Sequence, residues 1–308
     1  MFELPDQLMF IKNGRAKQKH SNESMQGKLC IVSGATSGVG YQAVKALANG
    51  GANIVMVVRN IEKAIAVKQE IEQNYSVDVD YYIADFSKLN QVKKAAKLIL
   101  NDYSKIDVLI NSVGIHSTKR MLNENGYEMV FCVNHLGSFL LTNLLLERLI
   151  ESAPARIIQV NSEGHRFNGL DINDLNWERR IYTGLRSYGA SKVAQLLTVW
   201  EFAERLKGTG VTINAMHPGG VRTNIGNNNG LLYRLFLHNI TWHFLKNPKI
   251  SGEALYYLAS SKDLDNVSGK FYNLTIEEKP AKHALDVKLQ KEIWEISLEM
   301  TSLEEKGE

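Results

Sequence analysis

The sequence is poor in cysteine, in charge of one sign and in long apolar runs, and each absence excludes a class of protein. Its 308 residues contain two cysteines, and the apolar neighbours of both indicate buried thiols in a reducing compartment rather than a disulfide framework. The net charge of +3 is spread along the chain, which gives no support for a nucleic-acid surface. No run reaches the ~18 apolar residues of a membrane span, and residues 1–28 lack the apolar core of a signal peptide. We therefore predict a cytoplasmic protein.

The chain also lacks a Pro/Gly-rich linker and a cluster of metal ligands. Without a linker, we predict one domain over residues 29–300, preceded by a polar leader (1–28) and followed by a charged tail (301–308). Within the leader, Lys12–Ser24 is expected to be loosely ordered. His165 and His217 have no cysteine, histidine or carboxylate at ligand spacing, so no metal site is predicted, and His217 is interpreted as a packed or hydrogen-bonded residue.

Strand and helix patterns alternate from residue 29 onward. Apolar strands such as IVMVV are typical of a parallel sheet covered on both faces. We predict an α/β fold with a Rossmann-like, doubly wound parallel sheet of about seven strands and helices on both faces. The predicted strands are Leu29–Ser33, Asn53–Arg59, Val79–Ala84, Asp107–Asn111, Arg156–Asn161, Val211–Met216 and Lys270–Leu274, and the predicted helices are Val39–Asn49, Ile61–Asn74, Leu89–Tyr103, Gly126–Ile150, Tyr188–Leu206 and Ser251–Ala259.

The first strand runs into a glycine turn and a helix, in the stretch LCIVSGATSGVG. Glycines at 34, 38 and 40 would let the backbone approach a pyrophosphate, which the positive end of the helix dipole favours. The spacing is G-x-x-x-G-x-G rather than the common G-x-G-x-x-G of dinucleotide-binding proteins. A tight turn without a ligand is the alternative, but the order of the later motifs favours a dinucleotide site at the carboxyl ends of the strands.

Three further strand ends are placed to contact such a dinucleotide. Arg59, nineteen residues after Gly40, stands where an NAD site usually has a carboxylate. A guanidinium there suits a 2′-phosphate, so NADP(H) is predicted over NAD(H); a solvated surface arginine is the alternative. Asp85 and Phe86 follow the third strand and are expected near the adenine. A small-residue turn after the fourth strand would line the cofactor floor and comprises Asn111, Ser112, Val113 and Gly114.

Tyr188 and Lys192 lie one helical turn apart on the same face of a predicted helix. A phenol with a pKa near ~10 becomes a usable acid/base when an ammonium favours its phenolate. Such a pair can exchange a proton with an alcohol oxygen while hydride moves at carbon. Ser162, at the end of the preceding strand, offers a hydroxyl that can polarise a substrate carbonyl.

Taken as a set, these motifs resemble the short-chain dehydrogenase/reductase family over roughly residues 27–300. The stretches VNHLG at 133–137, DLN at 174–176, VSGKFY at 267–272 and WEIS at 294–297 are similar to its retinol-dehydrogenase-like branch. The resemblance implies that Tyr188 is the acid/base, that Lys192 lowers the pKa of Tyr188 and binds the nicotinamide ribose, and that Ser162 holds the substrate oxygen. It also implies that Asn134 anchors a water that leads protons away through Lys192.

For the cofactor, the resemblance implies a pyrophosphate turn formed by Gly34, Gly38 and Gly40, with Ser37 and Val39 beside it. The residues that would close over the nicotinamide are Pro218, Gly219, Val221 and Thr223.

The sequence departs from the family pattern in three places. Ser33 stands where many members have threonine, and it keeps the hydroxyl. Val113 replaces an alanine and adds bulk near the adenosine ribose. Asn161 precedes Ser162 where a second serine is common, and residues 163–186 form an insertion similar to that of the branch. None of these changes removes a catalytic group.

The substrate side of the chain supports several interpretations. A Gly/Asn-rich stretch at 226–230 precedes an apolar segment, and together they suggest a substrate lid near residues 225–246. A helix packed on the core and a peripheral membrane contact are the alternatives. The resemblance also implies a homodimer. We predict an NADP(H)-dependent oxidoreductase that interconverts a lipophilic alcohol with its aldehyde or ketone; a non-catalytic NADP(H)-responsive binding protein and a nucleotide-sugar epimerase or dehydratase are the rival functions.

Overall fold

The central sheet has eight strands in the order β3-β2-β1-β4-β5-β6-β7-β8 in the computed structural model, which describes residues 9–221 and 247–303. All neighbouring strands pair in parallel except β7 and β8, which form a short antiparallel pair at one edge. The predicted doubly wound sheet is confirmed, with one strand more than expected. The strands are β1 Leu29–Ser33, β2 Asn53–Val58, β3 Val79–Ile83, β4 Val108–Asn111, β5 Ala155–Val160, β6 Val211–His217, β7 Phe271–Asn273 and β8 Ile276–Glu277.

Helices cover both faces of this sheet and enclose two apolar cores. One core lies between the sheet and helices α4, α6, α7 and α9, and the other lies between the sheet and helices α2, α3 and α8. The central strands face both cores, which is why they are apolar at almost every position. The helices are α1 Met9–Arg15, α2 Gly38–Asn49, α3 Ile61–Asn74, α4 Leu89–Asp102, α5 Met129–Phe131, α6 Gly137–Glu151, α7 Gly184–Arg205, α8 Lys249–Ser260 and α9 Val287–Thr301.

The helical stretch after β4 is interrupted by a π-turn at Cys132–Leu136, which separates α5 from α6. The amide of Gly137 donates to the carbonyl of Cys132, five residues back, as a π-turn requires. The stretch Met129–Glu151 is long and apolar enough to cross a membrane, although no single run had suggested this. Since 78% of its most apolar part is buried inside the protein, it is a core helix.

The predicted segment boundaries agree with the structure to within four residues, and the helices and strands that the prediction missed lie toward the two ends of the chain. Helix α1, strand β8 and helix α9 were not predicted. The prediction of a loosely ordered leader was also wrong for the described residues. Asn13 Nδ2 donates to Glu278 Oε2 at 2.8 Å, the amide of Lys19 donates to Thr275 Oγ1 at 2.8 Å, and Met25 is buried. Backbone and side-chain contacts therefore hold the leader against the sheet edge.

The strand order places a switch point between β1 and β4. Ser33, the last residue of β1, pairs with Val57 of β2 on one side and with Asn111 of β4 on the other. The connections leave these strands in opposite directions, so a crevice opens at their carboxyl ends, where open α/β sheets bind ligands. All of the described candidate site residues lie at this edge or in the helices that begin there.

Candidate active site

The glycine turn after β1 packs tightly against the start of α2. Gly34 and Gly38 have φ values of +70° and +56°, and a Cβ on Gly40 would lie 2.4 Å from the carbonyl oxygen of Gly34. Ser37 is the N-cap of α2, but its side chain makes no capping hydrogen bond, so the first amides of the helix are open to an anion. Val39 packs into the core beneath the turn.

At the end of β2 the side chain of Arg59 is exposed to solvent. Within residues 9–221 and 247–303, no hydrogen bond or ion pair joins its guanidinium to another group. After β3, Asp85 Oδ1 accepts hydrogen bonds from the amide and hydroxyl of Ser87. Phe86 is buried in the core rather than exposed on the crevice surface.

A hydrogen bond to a serine hydroxyl joins the turn after β4 to β1. The amide of Ser112 donates to Ser33 Oγ at 3.1 Å. The hydroxyl that Ser33 keeps in place of threonine therefore accepts a hydrogen bond from the turn. Asn111 is buried, and its Nδ2 donates to Thr142 Oγ1 of α6 at 2.8 Å. Val113 packs against the core and its amide lies next to Gly34, while Gly114 continues the turn beside it.

The segment after β6 supplies the opposite wall of the crevice. Pro218 accepts a hydrogen bond at its carbonyl from Ser251 Oγ of α8 at 2.6 Å. Gly219 has a φ of +80°, and Val221 is buried in the core beside α8. Thr223 and the predicted lid near 225–246 lie outside the described residues.

Ser162 and Tyr188 meet at the carboxyl end of β5. The Ser162 hydroxyl and the Tyr188 ring both lie beside Gly164, whose Cβ, if present, would be 3.4 Å from Ser162 Oγ, and Ser162 Oγ accepts from the amide of Gly164 at 3.1 Å. A Cβ on Gly164 would lie 2.9 Å from Cε1 of Tyr188, so only glycine leaves room for the ring. Burial raises the pKa of Tyr188, and the neighbouring Ser162 hydroxyl acts in the opposite direction, so the free protein holds Tyr188 as the protonated acid at neutral pH.

Lys192 lies fully inside the protein below Tyr188. Its ammonium is 5.5 Å from the centre of the Tyr188 ring, and it donates to the carbonyl of Val160 at 3.2 Å and to Gln195 Oε1 at 2.9 Å. Burial lowers its pKa from 10.5 to about 7. The lysine is therefore present in both protonation states near neutral pH.

Asn134 occupies the π-turn and is fully buried. Its Oδ1 accepts from the amide of Ile115 at 2.8 Å, and its Nδ2 donates to Ser191 Oγ at 3.0 Å. The main-chain carbonyl of Asn134 accepts from Nε2 of Gln195 at 2.5 Å. The structure thus brings all four predicted catalytic residues to one place, with Asn134 joined to α7 through Ser191 and Gln195.

Several residues that support the site were not recognised in the sequence. Glu128 caps the amides of Val130 and Phe131 and accepts a hydrogen bond from Ser187 Oγ of α7. His116 packs edge-on against Tyr188 with ring centres 5.9 Å apart. Neither belongs to a motif with fixed spacing, so only their three-dimensional neighbours disclose them. Gly164 and Gln195 offered a weak signal, since each lies within three residues of a predicted catalytic side chain.

The two histidines near strand ends are structural. His165 Nε2 accepts from the amide of Ala281, which leaves its Nδ1 to donate to the carbonyl of Ser162 at 2.7 Å. His217 Nδ1 accepts from the amide of Glu163 at 3.4 Å, as the prediction of a hydrogen-bonded residue requires. Among the residues that the structure describes, no group of three metal-ligating side chains is present.

Comparison with known proteins supports the interpretation of this geometry. The family model for short chain dehydrogenases matches residues 28–231. Retinol dehydrogenase 13 of Homo sapiens is 37% identical over 289 residues, covering 92% of this chain and 87% of that protein. Retinol dehydrogenase 14 of Homo sapiens is 36% identical over 295 residues, with coverage of 91% and 88%.

Solved structures share the fold. An uncharacterized protein from Mycobacterium paratuberculosis superposes with a TM-score of 0.74 at 28% identity, covering 92% of this chain and 96% of that one. A short chain dehydrogenase from Shigella flexneri, solved in complex with NADP, superposes with a TM-score of 0.67 at 20% identity, with coverage of 82% and 99%. With the motifs, the sheet order and these relatives in agreement, the chain belongs to the short-chain dehydrogenase/reductase family, in its retinol-dehydrogenase-like branch.

Proposed function

We propose that this oxidoreductase of CH–OH groups uses NADP(H) and interconverts a lipophilic alcohol with its aldehyde or ketone, with Tyr188 as the acid/base. The observation that carries the proposal is the placement of Ser162 and Tyr188 together around Gly164, with Lys192 buried and its ammonium 5.5 Å from the centre of the Tyr188 ring. Two hydroxyl groups next to a buried amine can exchange a proton with a single substrate oxygen.

The crevice has the features that a dinucleotide requires. The first amides of α2 are open to an anion, and the turn packs so closely on the helix at Gly40 that a Cβ there would collide with the carbonyl of Gly34. Gly34, Ser37 and Gly38 would hold the pyrophosphate, and the segment from Pro218 to Val221 would lie along the nicotinamide. When bound, the cofactor supplies or accepts the hydride. These features support a nicotinamide cofactor, which the family uses.

The preference for NADP(H) over NAD(H) is supported by Arg59. Its exposed guanidinium stands at the end of β2, where the ribose of a dinucleotide in this type of sheet is read. A 2′-phosphate would give the guanidinium a charge-assisted, two-pronged partner.

The residues around the substrate would act as follows. Ser162 would donate to the substrate oxygen, and Tyr188 would deliver its proton to that oxygen as negative charge develops during carbonyl reduction. Tyr188 is protonated in the free protein, which is the form that carbonyl reduction needs. In alcohol oxidation the same oxygen would return the proton to Tyr188, whose phenolate the Lys192 ammonium would stabilise.

A lipophilic substrate is supported by the surface next to Tyr188. Three large apolar side chains near the start of α7 and the Ser162 loop are unusually exposed: Phe167 at 70%, Ile181 at 76% and Leu185 at 73%. Single exposed apolar residues are ordinary, but three in the segment that joins Ser162 to Tyr188 would suit an apolar binding surface. The names of the relatives, retinol dehydrogenases 13 and 14, point to a retinoid-like alcohol or aldehyde as the first compound to test.

The test is a spectrophotometric assay of NADPH and NADH consumption with retinal and a panel of other apolar aldehydes and ketones. We expect turnover with NADPH that Tyr188→Phe abolishes while NADPH binding, measured by fluorescence, is kept. Near-normal turnover by the Tyr188→Phe protein would remove Tyr188 from the mechanism. Equal or better turnover with NADH would refute the role of Arg59, and cofactor binding without any turnover would favour a binding protein.

A further inference from the structure

Gln195 lies one turn beyond Lys192 on α7 and is almost completely buried. Its amide group makes three hydrogen bonds to the residues around the proposed catalytic centre. Oε1 accepts from Lys192 Nζ at 2.9 Å and from Asn161 Nδ2 at 3.2 Å, and Nε2 donates to the main-chain carbonyl of Asn134 at 2.5 Å.

The orientation of this amide is fixed by its partners. A lysine ammonium can only donate and a main-chain carbonyl can only accept, so Oε1 must face Lys192 and Nε2 must face Asn134. A flipped amide would place two donors together and two acceptors together. The side chain therefore bridges the π-turn and α7 in a single arrangement.

From this geometry we infer that Gln195 is a positioning residue, whose amide joins the Asn134 carbonyl to the Lys192 ammonium and so fixes the ammonium beneath Tyr188. The inference rests on the proposed role of Tyr188 and Lys192. It adds a direct side-chain connection between Asn134 and Lys192 to the water that the family resemblance places at Asn134.

The surroundings of Lys192 make an acceptor at this position consequential. Only one other protein acceptor, the carbonyl of Val160, is seen for its ammonium among the described residues. The π-turn and the end of β5 contribute the uncharged Asn134 and Asn161. The helical turn 163–166 also packs against α7, and its charged residues Glu163 and Arg166 form an ion pair with each other. Tyr188 faces it from its own helix, and His217 of β6 interacts with it electrostatically. Burial lowers the pKa of His217 to about 3, so this histidine is neutral near pH 7 and supplies no counter-charge.

Two variants at Gln195 separate positioning from simple packing. Gln195→Leu keeps the volume but removes both hydrogen-bonding atoms, so the ammonium loses an acceptor and the titration midpoint of Lys192 should fall by about one pH unit. Gln195→Glu offers the ammonium a carboxylate, and the midpoint should rise. Gln290→Leu is the matched control, since Gln290 is a buried glutamine that bonds to Glu201 and not to the site residues. It should leave the midpoint unchanged.

The midpoint is read by NMR from the ¹³Cε signal of Lys192 in protein without cofactor, assigned by its loss in Lys192→Met. In parallel, the pH dependence of alcohol oxidation is measured. Both Gln195 variants should move the rising limb of this profile to higher pH, because the Tyr188 phenolate loses the support of a positive charge. In Gln195→Leu the Lys192 ammonium loses its proton more readily, and in Gln195→Glu the new carboxylate neutralises its charge. If either variant does not fold, the remaining one decides the sign of the midpoint change.

The inference is overturned if the Lys192 midpoint is the same in the folded Gln195 variants as in the parent protein, or if Gln195→Leu and Gln195→Glu move it in the same direction. Because the NMR titration needs neither cofactor nor substrate, an inactive parent protein would refute the proposed function and leave this result interpretable.

Discussion

Replacing Lys192 by methionine should stabilise the protein while abolishing its activity. Burial lowers the pKa of Lys192 from 10.5 to about 7, so the folded state disfavours the ammonium. At ~1.4 kcal/mol per pH unit, this disfavours folding by about 4–5 kcal/mol when the lysine is fully charged. The hydrogen bonds to Val160 and Gln195 return part of that energy. We expect Lys192→Met to raise the free energy of unfolding at pH 7 by about 2–4 kcal/mol.

The pH dependence of this gain has a fixed sign. Between the folded pKa of about 7 and the unfolded value of 10.5, the unfolded chain binds more protons at Lys192 than the folded chain does. The parent protein therefore gains stability from this group as pH rises through that window, and Lys192→Met does not. The difference between the two proteins should be largest at or below pH 7 and should shrink toward pH 10.

Urea denaturation at pH 6.5, 8 and 9.5 measures both quantities. Lys97→Met, which alters an exposed lysine of α4, is the control and should change stability by less than ~0.5 kcal/mol. A Lys192→Met protein that is less stable than the parent at pH 7, or whose advantage does not change with pH, would refute the conclusion that the buried ammonium is costly.

Three further changes test other parts of the site. Arg59→Asp should raise the KM for NADPH by roughly 10- to 100-fold, since a charged hydrogen-bonded pair contributes about 1.5–3 kcal/mol, and it should improve the use of NADH. Steady-state kinetics with both nucleotides measure this, and an unchanged ratio of kcat/KM for NADPH to kcat/KM for NADH would contradict it. Gly164→Ala should lower kcat by roughly 100-fold with NADPH affinity kept, because its Cβ would lie 2.9 Å from the Tyr188 ring; Gly169→Ala, with no atom within 4 Å of the new methyl group, is the control, and equal activity of the two variants would rule out the steric argument. Glu128→Ala should cost about 2–4 kcal/mol in urea denaturation, since it leaves the amides of Val130 and Phe131 without their cap; a loss below 1 kcal/mol would mean that water replaces the carboxylate.

The sequence by itself determined the order of the elements and the chemistry at the strand ends. Apolar runs of strand length, separated by amphipathic helices, left a doubly wound parallel sheet as the consistent arrangement. The glycine turn and the Tyr188–Lys192 pair could be read directly, because their function depends on local spacing: three glycines in one turn, and two side chains one helical turn apart.

Contacts between residues distant in the chain were decided only by the tertiary structure. Asn134 and Gln195 are 61 residues apart, and their hydrogen bond depends on a π-turn that no local pattern announced. The leader, polar and basic by composition, is held by partners near residues 275 and 278. Strand β8 is too short to form a periodic pattern, and it forms because its backbone pairs with the edge strand β7. Local propensity acts over a few residues, whereas burial and hydrogen-bond satisfaction depend on the whole fold, and these set the protonation state of Lys192 and the position of Tyr188.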